Sequence, residues 1–128
     1  YTVTVTAAGC SSTATTTVDV VADPTITVQP LGQTVCLNAS TNLTTSVTGG
    51  TGTTTYQWQS ATDCNSTFSN ITGANTNTYV PPTATAGTTA YQCVITISGS
   101  GCDTQITNCV LVTVTPQGTI SVTVQPGN

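Results

Sequence analysis

The sequence has no Lys, Arg, His or Met, and its 128 residues carry a net charge of −4. Without His, Lys or Arg the chain cannot build a Ser-His-Asp triad, a Lys nucleophile or a cationic phosphate clamp. The acidic residues are four Asp, so the usual paired carboxylates of a glycosidase are not expected either. Nucleic-acid binding is disfavoured because it requires Lys or Arg to neutralise phosphates. The composition therefore predicts a protein that is not an enzyme, has no cofactor and binds no nucleic acid.

Long apolar runs are also missing. No stretch approaches the roughly 18 residues of a membrane span, so no span is predicted in this segment. The lack of Lys and Arg removes every trypsin cleavage site and rules out Lys–Asn isopeptide crosslinks. A chain without these cleavage sites suits a protein that is exposed to proteases outside the cell.

Thr is the most frequent residue type, with 34 of the 128 residues. Only 3% of the residues are charged, against roughly a quarter in an average chain. Disordered segments are poor in β-branched residues, whereas Val, Ile and Thr are plentiful here and Gly, Pro and Asn are spaced between their runs. This pattern predicts an all-β fold with many short strands.

Six cysteines indicate an oxidising, extracellular compartment, where disulfides persist. A structural zinc site is not expected, because there is no Cys-x-x-Cys pair and no His. The disulfide candidates are Cys10, Cys36, Cys64, Cys93, Cys102 and Cys109.

The beginning of the chain resembles a later part of it. Alignment of Cys10 with Cys102 matches "TVTVTAAGC" to "VITISGSGC" at an offset of 92 residues, and the "VQP" that ends at Pro30 recurs at Pro126 with an offset of 96. A unit of about this length is typical of a β-sandwich domain. We therefore predict the C-terminal hairpin of a preceding repeat at 1–22, a complete repeat at 23–115 and the first strand of a following repeat at 116–128.

The complete unit divides into predicted strands at its turn signals. Strands are expected in "TITVQP", "NLTTSV", "TTYQWQS", "FSNI", "NTYV", "TAYQCVITIS" and "QITNCVLVTVT". Alternation places Tyr56 and Trp58 on one face of the third strand, and Gln57 and Gln59 on the other. Trp58 and Tyr91 are the predicted structural core.

The order of these landmarks resembles an immunoglobulin-like antiparallel β-sandwich. Trp58 lies on the third strand, and Tyr91 precedes Cys93 by two residues, as in the tyrosine corner of that fold. One departure is that Thr45 occupies the place of the first Cys. The run from "QTVCLNAS" to "VLVTV" is also similar to the Ig-like repeats of large, type 9-secreted adhesins of gliding bacteria. That resemblance implies an extended surface fibre and carries over no catalytic residue.

The cysteine pairing is predicted from the last hairpin. Around a turn centred on Gly101, Cys93 and Cys109 are mirror partners, and opposed residues of a hairpin can form a disulfide. The preceding repeat lacks both of these cysteines together, which favours the pair Cys93–Cys109. The alternative is Cys36–Cys93. Five cysteines per unit leave one thiol free or one bond directed out of the unit.

Other motifs carry weaker signals. Four Asn-x-Ser/Thr sequons are candidates for glycosylation, at Asn38, Asn42, Asn65 and Asn70. The aromatic residues could form a sugar-stacking platform, although alternation favours packing of Tyr56 and Trp58 in the core. Asp19 and Asp23 are too few ligands for a calcium site, and no metal site is predicted.

The function predicted from the sequence is that of a structural or adhesive repeat of an extracellular, cell-surface fibre. Such a repeat would be stabilised by disulfides and would resist proteases. Its partners would be neighbouring repeats or subunits, arranged head to tail, with surface glycans as further candidates. The alternatives are a glycan-binding module of a secreted protein and a subunit of a head-to-tail extracellular filament.

Overall fold

The computed structural model describes residues 1–99 and 104–118. Cys102 and the strand predicted within 116–128, from residue 119 onward, lie outside the described residues. The part that is described contains strands and no helix, which confirms the all-β prediction. In chain order the strands are β1 (Thr2–Ala7), β2 (Cys10–Thr15), β3 (Thr25–Val28), β4 (Gln33–Cys36), β5 (Leu43–Thr44), β6 (Ser46–Thr48), β7 (Thr54–Ala61), β8 (Ser69–Asn70), β9 (Thr78–Tyr79), β10 (Gly87–Ile97), β11 (Thr104–Ile106) and β12 (Val110–Thr115).

The largest sheet has six strands and is built around β10. Its strand order is β4-β12-β10-β7-β8, and β11 also pairs with β10. The pairings of β10 with β7, β11 and β12 are antiparallel, whereas β4 runs parallel to β12. From Tyr91 to Ile97 the residues of β10 alternate between buried and more exposed positions, which is the period-2 pattern of a strand with one face on a core.

Two short pairs of strands lie on the other side of this core. β3 pairs with β6, and β5 pairs with β9. The segment "NLTTSV" was predicted as one strand, but Thr45 divides it so that Leu43 pairs in one ladder and Val47 in the other. The Thr45 side chain is completely buried, and its hydroxyl donates a hydrogen bond of 2.9 Å to the carbonyl of Val28.

The core takes side chains from both sets of strands, as expected for a β-sandwich. Leu43 and Trp58 are completely buried, and Tyr91 is 4% exposed. The indole N–H of Trp58 donates to the carbonyl of Thr76 over 2.9 Å, which satisfies its one polar atom. Tyr79 packs between the other two aromatic rings, with centroid distances of 5.9 Å to Trp58 and 5.6 Å to Tyr91.

The chain reaches and leaves this sandwich at opposite ends. Thr25 begins β3 opposite Thr48, next to the loop that leads to Thr54, and Thr54 pairs with the last residue of β10. We call this end the N-terminal pole.

The chain leaves the sandwich at the other end. Thr115 ends β12 opposite Cys36, one residue beyond the pairing of Val114 with the first residue of β10. We call this end the C-terminal pole. At roughly 3.3 Å per residue, the 11 residues of β10 separate the poles by about 35 Å.

Strands β1 and β2 form a separate two-stranded hairpin before the sandwich. Its register runs from Thr2 opposite Thr15 to Ala7 opposite Cys10, and Ala8 and Gly9 make the turn with positive φ angles of 48° and 85°. Every residue of both strands is exposed. One face is apolar and includes Val3 and Val5, which are 61% and 62% exposed.

Strand β4 was not predicted. It follows Pro30 and Gly32, two residues that usually interrupt strands, and it is short and mostly polar. Its backbone nevertheless pairs in parallel with β12 over four residues. Among the residues that the structure describes, no helix is both long and apolar enough to cross a membrane.

Candidate functional site

A disulfide between Cys64 and Cys109 closes one side of the sandwich. Their Cα atoms are 5.8 Å apart and they are 45 residues apart in the sequence. Cys64 belongs to the loop between β7 and β8, and Cys109 immediately precedes β12. On chain-entropy grounds a loop of this length gives a stabilisation of roughly 4 kcal/mol.

The predicted pair Cys93–Cys109 is wrong. Cys93 is completely buried on β10, opposite Trp58 on β7. On its other side, the backbone N–H of Cys93 donates to the Thr107 hydroxyl, and the Thr107 N–H donates to the Cys93 carbonyl. Thr107, and not Cys109, therefore lies across from Cys93, so the mirror axis at Gly101 was misplaced.

The last hairpin is also interrupted. The sequence "QITNCVLVTVT" was predicted as one strand, but β11 ends at Ile106 and β12 begins at Val110. The register of β10 with β11, in which Val94 faces Ile106, differs by one residue from that with β12, in which Tyr91 faces Val110. In this irregular segment Cys109 bonds to the β7–β8 loop instead of to β10.

Hydrogen bonds order the loop around Cys64. The Asp63 carboxylate accepts a bond of 2.7 Å from the Asn65 backbone N–H and one of 2.9 Å from the Ser66 hydroxyl. These bonds lower the pKa of Asp63, because they favour its charged form. The turn holds Cys64 in place on the loop that carries the disulfide.

The remaining described cysteines are unpaired. Cys10 and Cys36 are exposed, at the hairpin turn and at the C-terminal pole, so the alternative pair Cys36–Cys93 is also not formed. Cys93 is enclosed in the core. Burial raises the pKa of its thiol to about 11, which makes it a poor nucleophile at neutral pH.

The outer face of the large sheet carries a row of side-chain amides, next to the exposed apolar side chains of Ile106 and Leu111. Gln92 donates to Gln59 over 2.8 Å, and Gln59 donates to Asn70 over 2.7 Å. A second row joins the hydroxyls of Thr88 and Thr113, which are 3.0 Å apart. No Asp lies on these strands, so this face is uncharged.

The aromatic side chains do not form an exposed platform. Trp58 and Tyr91 are buried, and Tyr56, Phe68 and Tyr79 are half-buried. A cleft of about 360 Å³ lies near the C-terminal pole, with Val112, Val114 and Tyr91 as its apolar floor and Thr85 among the residues at its edge. The cleft has no charged residue, and its one titratable group is the Tyr91 phenol, whose pKa is raised by burial.

The sequons and the acidic pair are exposed. All four sequon residues, Asn38, Asn42, Asn65 and Asn70, are exposed. Asn70 uses its side-chain oxygen as a hydrogen-bond acceptor, so its amide nitrogen is not taken by that contact. Asp19 and Asp23 are exposed in the segment between β2 and β3, and the described residues include no group of three or more metal-ligating side chains.

Two features of the site were not found from the sequence. The partner of Cys109 was missed because "ATDCNST" carries only a turn signal and nothing that brings it close to β12. The contact of the Gly49–Gly50 turn with residues 22 and 23 was also missed, although the turn itself was predicted from "TGGTGT", whose consecutive glycines often mark positive φ angles. Both glycines have such angles, of 82° and 72°.

Comparison with known proteins identifies a family. No curated protein matches the chain. Residues 25–116 match a protein family, and these residues are nearly the same as the predicted complete unit, 23–115. Since the match covers well over half of the sequence, the chain belongs to the family described as a domain of unknown function, DUF8696.

Proposed function

We propose that this chain is a structural or adhesive repeat in an extracellular surface fibre, built as a tandem array of Ig-like sandwiches. The observation that supports this most is the chain path. The polypeptide reaches the sandwich at the N-terminal pole, next to Thr25, and leaves it at the C-terminal pole, after Thr115. Units connected through opposite poles extend in a line, so each unit would add about 35 Å to a fibre.

The Ig-like type is supported by the strand connections. The first strand divides between the two layers, since β3 pairs with β6 while β4 pairs with β12 in the large sheet. Trp58 and Tyr91 lie in the core at the positions that the resemblance implies. Thr45 replaces the first Cys and bonds to Val28, so this domain would be an Ig-like sandwich without the usual disulfide between its layers.

The chemistry of the surface supports a structural role over glycan binding. The large sheet presents amides and hydroxyls beside the exposed Ile106 and Leu111. Four of the aromatic rings that could stack on sugars pack in or against the core: Tyr56, Trp58, Tyr79 and Tyr91. Side-chain amides such as those of Gln59 and Gln92 already bond to each other. This face has no charge and no exposed aromatic ring, which fits the surface of a fibre better than a sugar-binding platform.

The covalent chemistry supports an extracellular location. The bond between Cys64 and Cys109 is compatible with an oxidising environment, and the lack of Lys and Arg removes all trypsin sites. Surface adhesins of the type 9-secreted kind, which the sequence resembles, are our proposal for the class of parent protein.

An antibody raised against residues 23–115 tests this function on the source cells. We expect it to label intact cells and to detect the same polypeptide after the cells are treated with proteinase K. Labelling only after the cells are permeabilised would contradict the proposal, and so would rapid loss of the antigen from intact cells.

A further inference from the structure

The segment that leads into the sandwich is held by the turn at Gly49 and Gly50. The N–H of Gly50 donates a hydrogen bond of 2.9 Å to the carbonyl of Ala22. A Cβ atom on Gly49 would lie only 2.6 Å from the carbonyl oxygen of Asp23, so no larger residue fits without movement of the backbone. Pro24 follows directly and is buried.

The same turn is fixed to the end of β10. Ser98 donates its N–H to the carbonyl of Thr53 over 3.0 Å, and its hydroxyl accepts from the Thr53 N–H over 3.1 Å. A Cβ atom on Gly52 would overlap the carbonyl of Ser98. The turn is therefore part of the sandwich and offers a fixed surface to the segment that contacts it.

The segment on this surface matches the last strand of a unit. Residues 18–24, "VDVVADP", align at the offset of 92 residues with 110–116, "VLVTVTP". In this alignment Asp23 corresponds to Thr115, which ends β12, and β3 begins at Thr25. Only Pro24, whose φ is fixed by its ring, would separate the last strand of one unit from the first strand of the next.

From these contacts we infer that the Gly49–Gly50 turn is the docking surface for the end of the preceding unit, and that it makes the joint between units stiff. The inference depends on the proposed tandem array and adds a specific contact to it. The partner is the end of another unit of this kind, presented as a backbone segment whose carbonyl at the position of Ala22 accepts the Gly50 N–H. Neighbouring units would be joined by one residue, the equivalent of Pro24, and by a hydrogen bond from the Gly49–Gly50 turn of the following unit. Together these would fix the angle between the two units.

Amide exchange and ¹⁵N relaxation of the 128-residue chain test the inference. In the unchanged chain we expect the Gly50 amide to be protected, and Ala22 and Asp23 to be as rigid as β3. Gly49→Ala should speed exchange at Gly50 by about tenfold, as expected for loss of one hydrogen bond, and should make Ala22 and Asp23 mobile. The matched control is Gly73→Ala, because Gly73 also has a positive φ of 79° but nothing lies within 4 Å of its added Cβ.

If Gly49→Ala prevents folding, a second variant tests the inference. In this variant two glycines are inserted between Asp23 and Pro24, which leaves the turn itself intact. The insertion should likewise release Ala22 and raise the exchange rate at Gly50. The inference is overturned if Gly50 is unprotected in the unchanged chain, or if Gly49→Ala and Gly73→Ala affect Gly50 equally. Those results would leave the array proposal standing, whereas a β1–β2 hairpin packed against the central sandwich would contradict the array itself.

Discussion

Trp58 and Cys93 lie directly opposite each other on β7 and β10, and both side chains are completely buried. The indole ring is therefore enclosed on the large-sheet side as well as by Tyr79. Replacement of Trp58 by Ala should lower the free energy of unfolding by roughly 3–5 kcal/mol, because it removes apolar contacts and leaves a cavity. Chemical denaturation measures this, with Tyr1→Ala as the control, since Tyr1 is 87% exposed and should have almost no effect.

Cys93 should be the least reactive of the described thiols. Burial raises its pKa to about 11, from an ordinary value of 9.0. In the native protein at pH 8, iodoacetamide should modify Cys10 and Cys36 and leave Cys93 untouched, as read by peptide mapping. Fast modification of Cys93 in the folded chain would show that the core is open at this point.

The same pKa shift predicts a dependence of stability on pH. The neutral thiol is favoured in the folded state, so its contribution is fully present below about pH 9 and is lost as the pH rises towards about 11. The stability of the unchanged chain should therefore fall over this window more than that of Cys93→Ala. Equal slopes for the two proteins would mean that Cys93 has the same pKa in both states.

The Ig-like arrangement makes a prediction about Thr45. Both Thr45 and Cys93 are completely buried, and they come from opposite layers of the sandwich. If the fold is Ig-like, Thr45→Cys should form a disulfide with Cys93 on mild oxidation and raise the melting temperature. The double variant Thr45→Cys, Cys93→Ser is the control, and failure of the single variant to crosslink would argue against the Ig-like type.

The observed disulfide can be tested by replacing either of its two cysteines. Cys64→Ser and Cys109→Ser should each lower stability by roughly 4 kcal/mol, and the double variant should lose no more than either single one, because one bond is involved. Cys36→Ser, which changes an exposed and unpaired thiol, should leave stability unchanged. Non-reducing peptide mapping that links Cys109 to Cys93 would contradict the structure.

The sequence predicted the fold class well and the covalent bond badly, for physical reasons. Alternation along β7 and β10 marks which side chains face the core, so the burial of Trp58 and Tyr91 follows from local pattern. The position of Cys64 depends on a loop whose path is set by distant contacts, and no local signal reveals it. The register of β10 with β11, which places Thr107 across from Cys93, also depends on tertiary structure, and this register is what invalidated the mirror argument.

The central claim is that residues 23–115 form one sandwich and that the segments on either side belong to neighbouring units. Amide hydrogen exchange of the monomeric 128-residue chain tests it most directly. We expect the amides of residues 25–99 and 104–115 to be protected as one cooperative unit and the amides of β1 and β2 to exchange rapidly, because an isolated hairpin is marginal in water. Strong protection of β1 and β2 in a monomer, through packing against the central sandwich, would contradict the account.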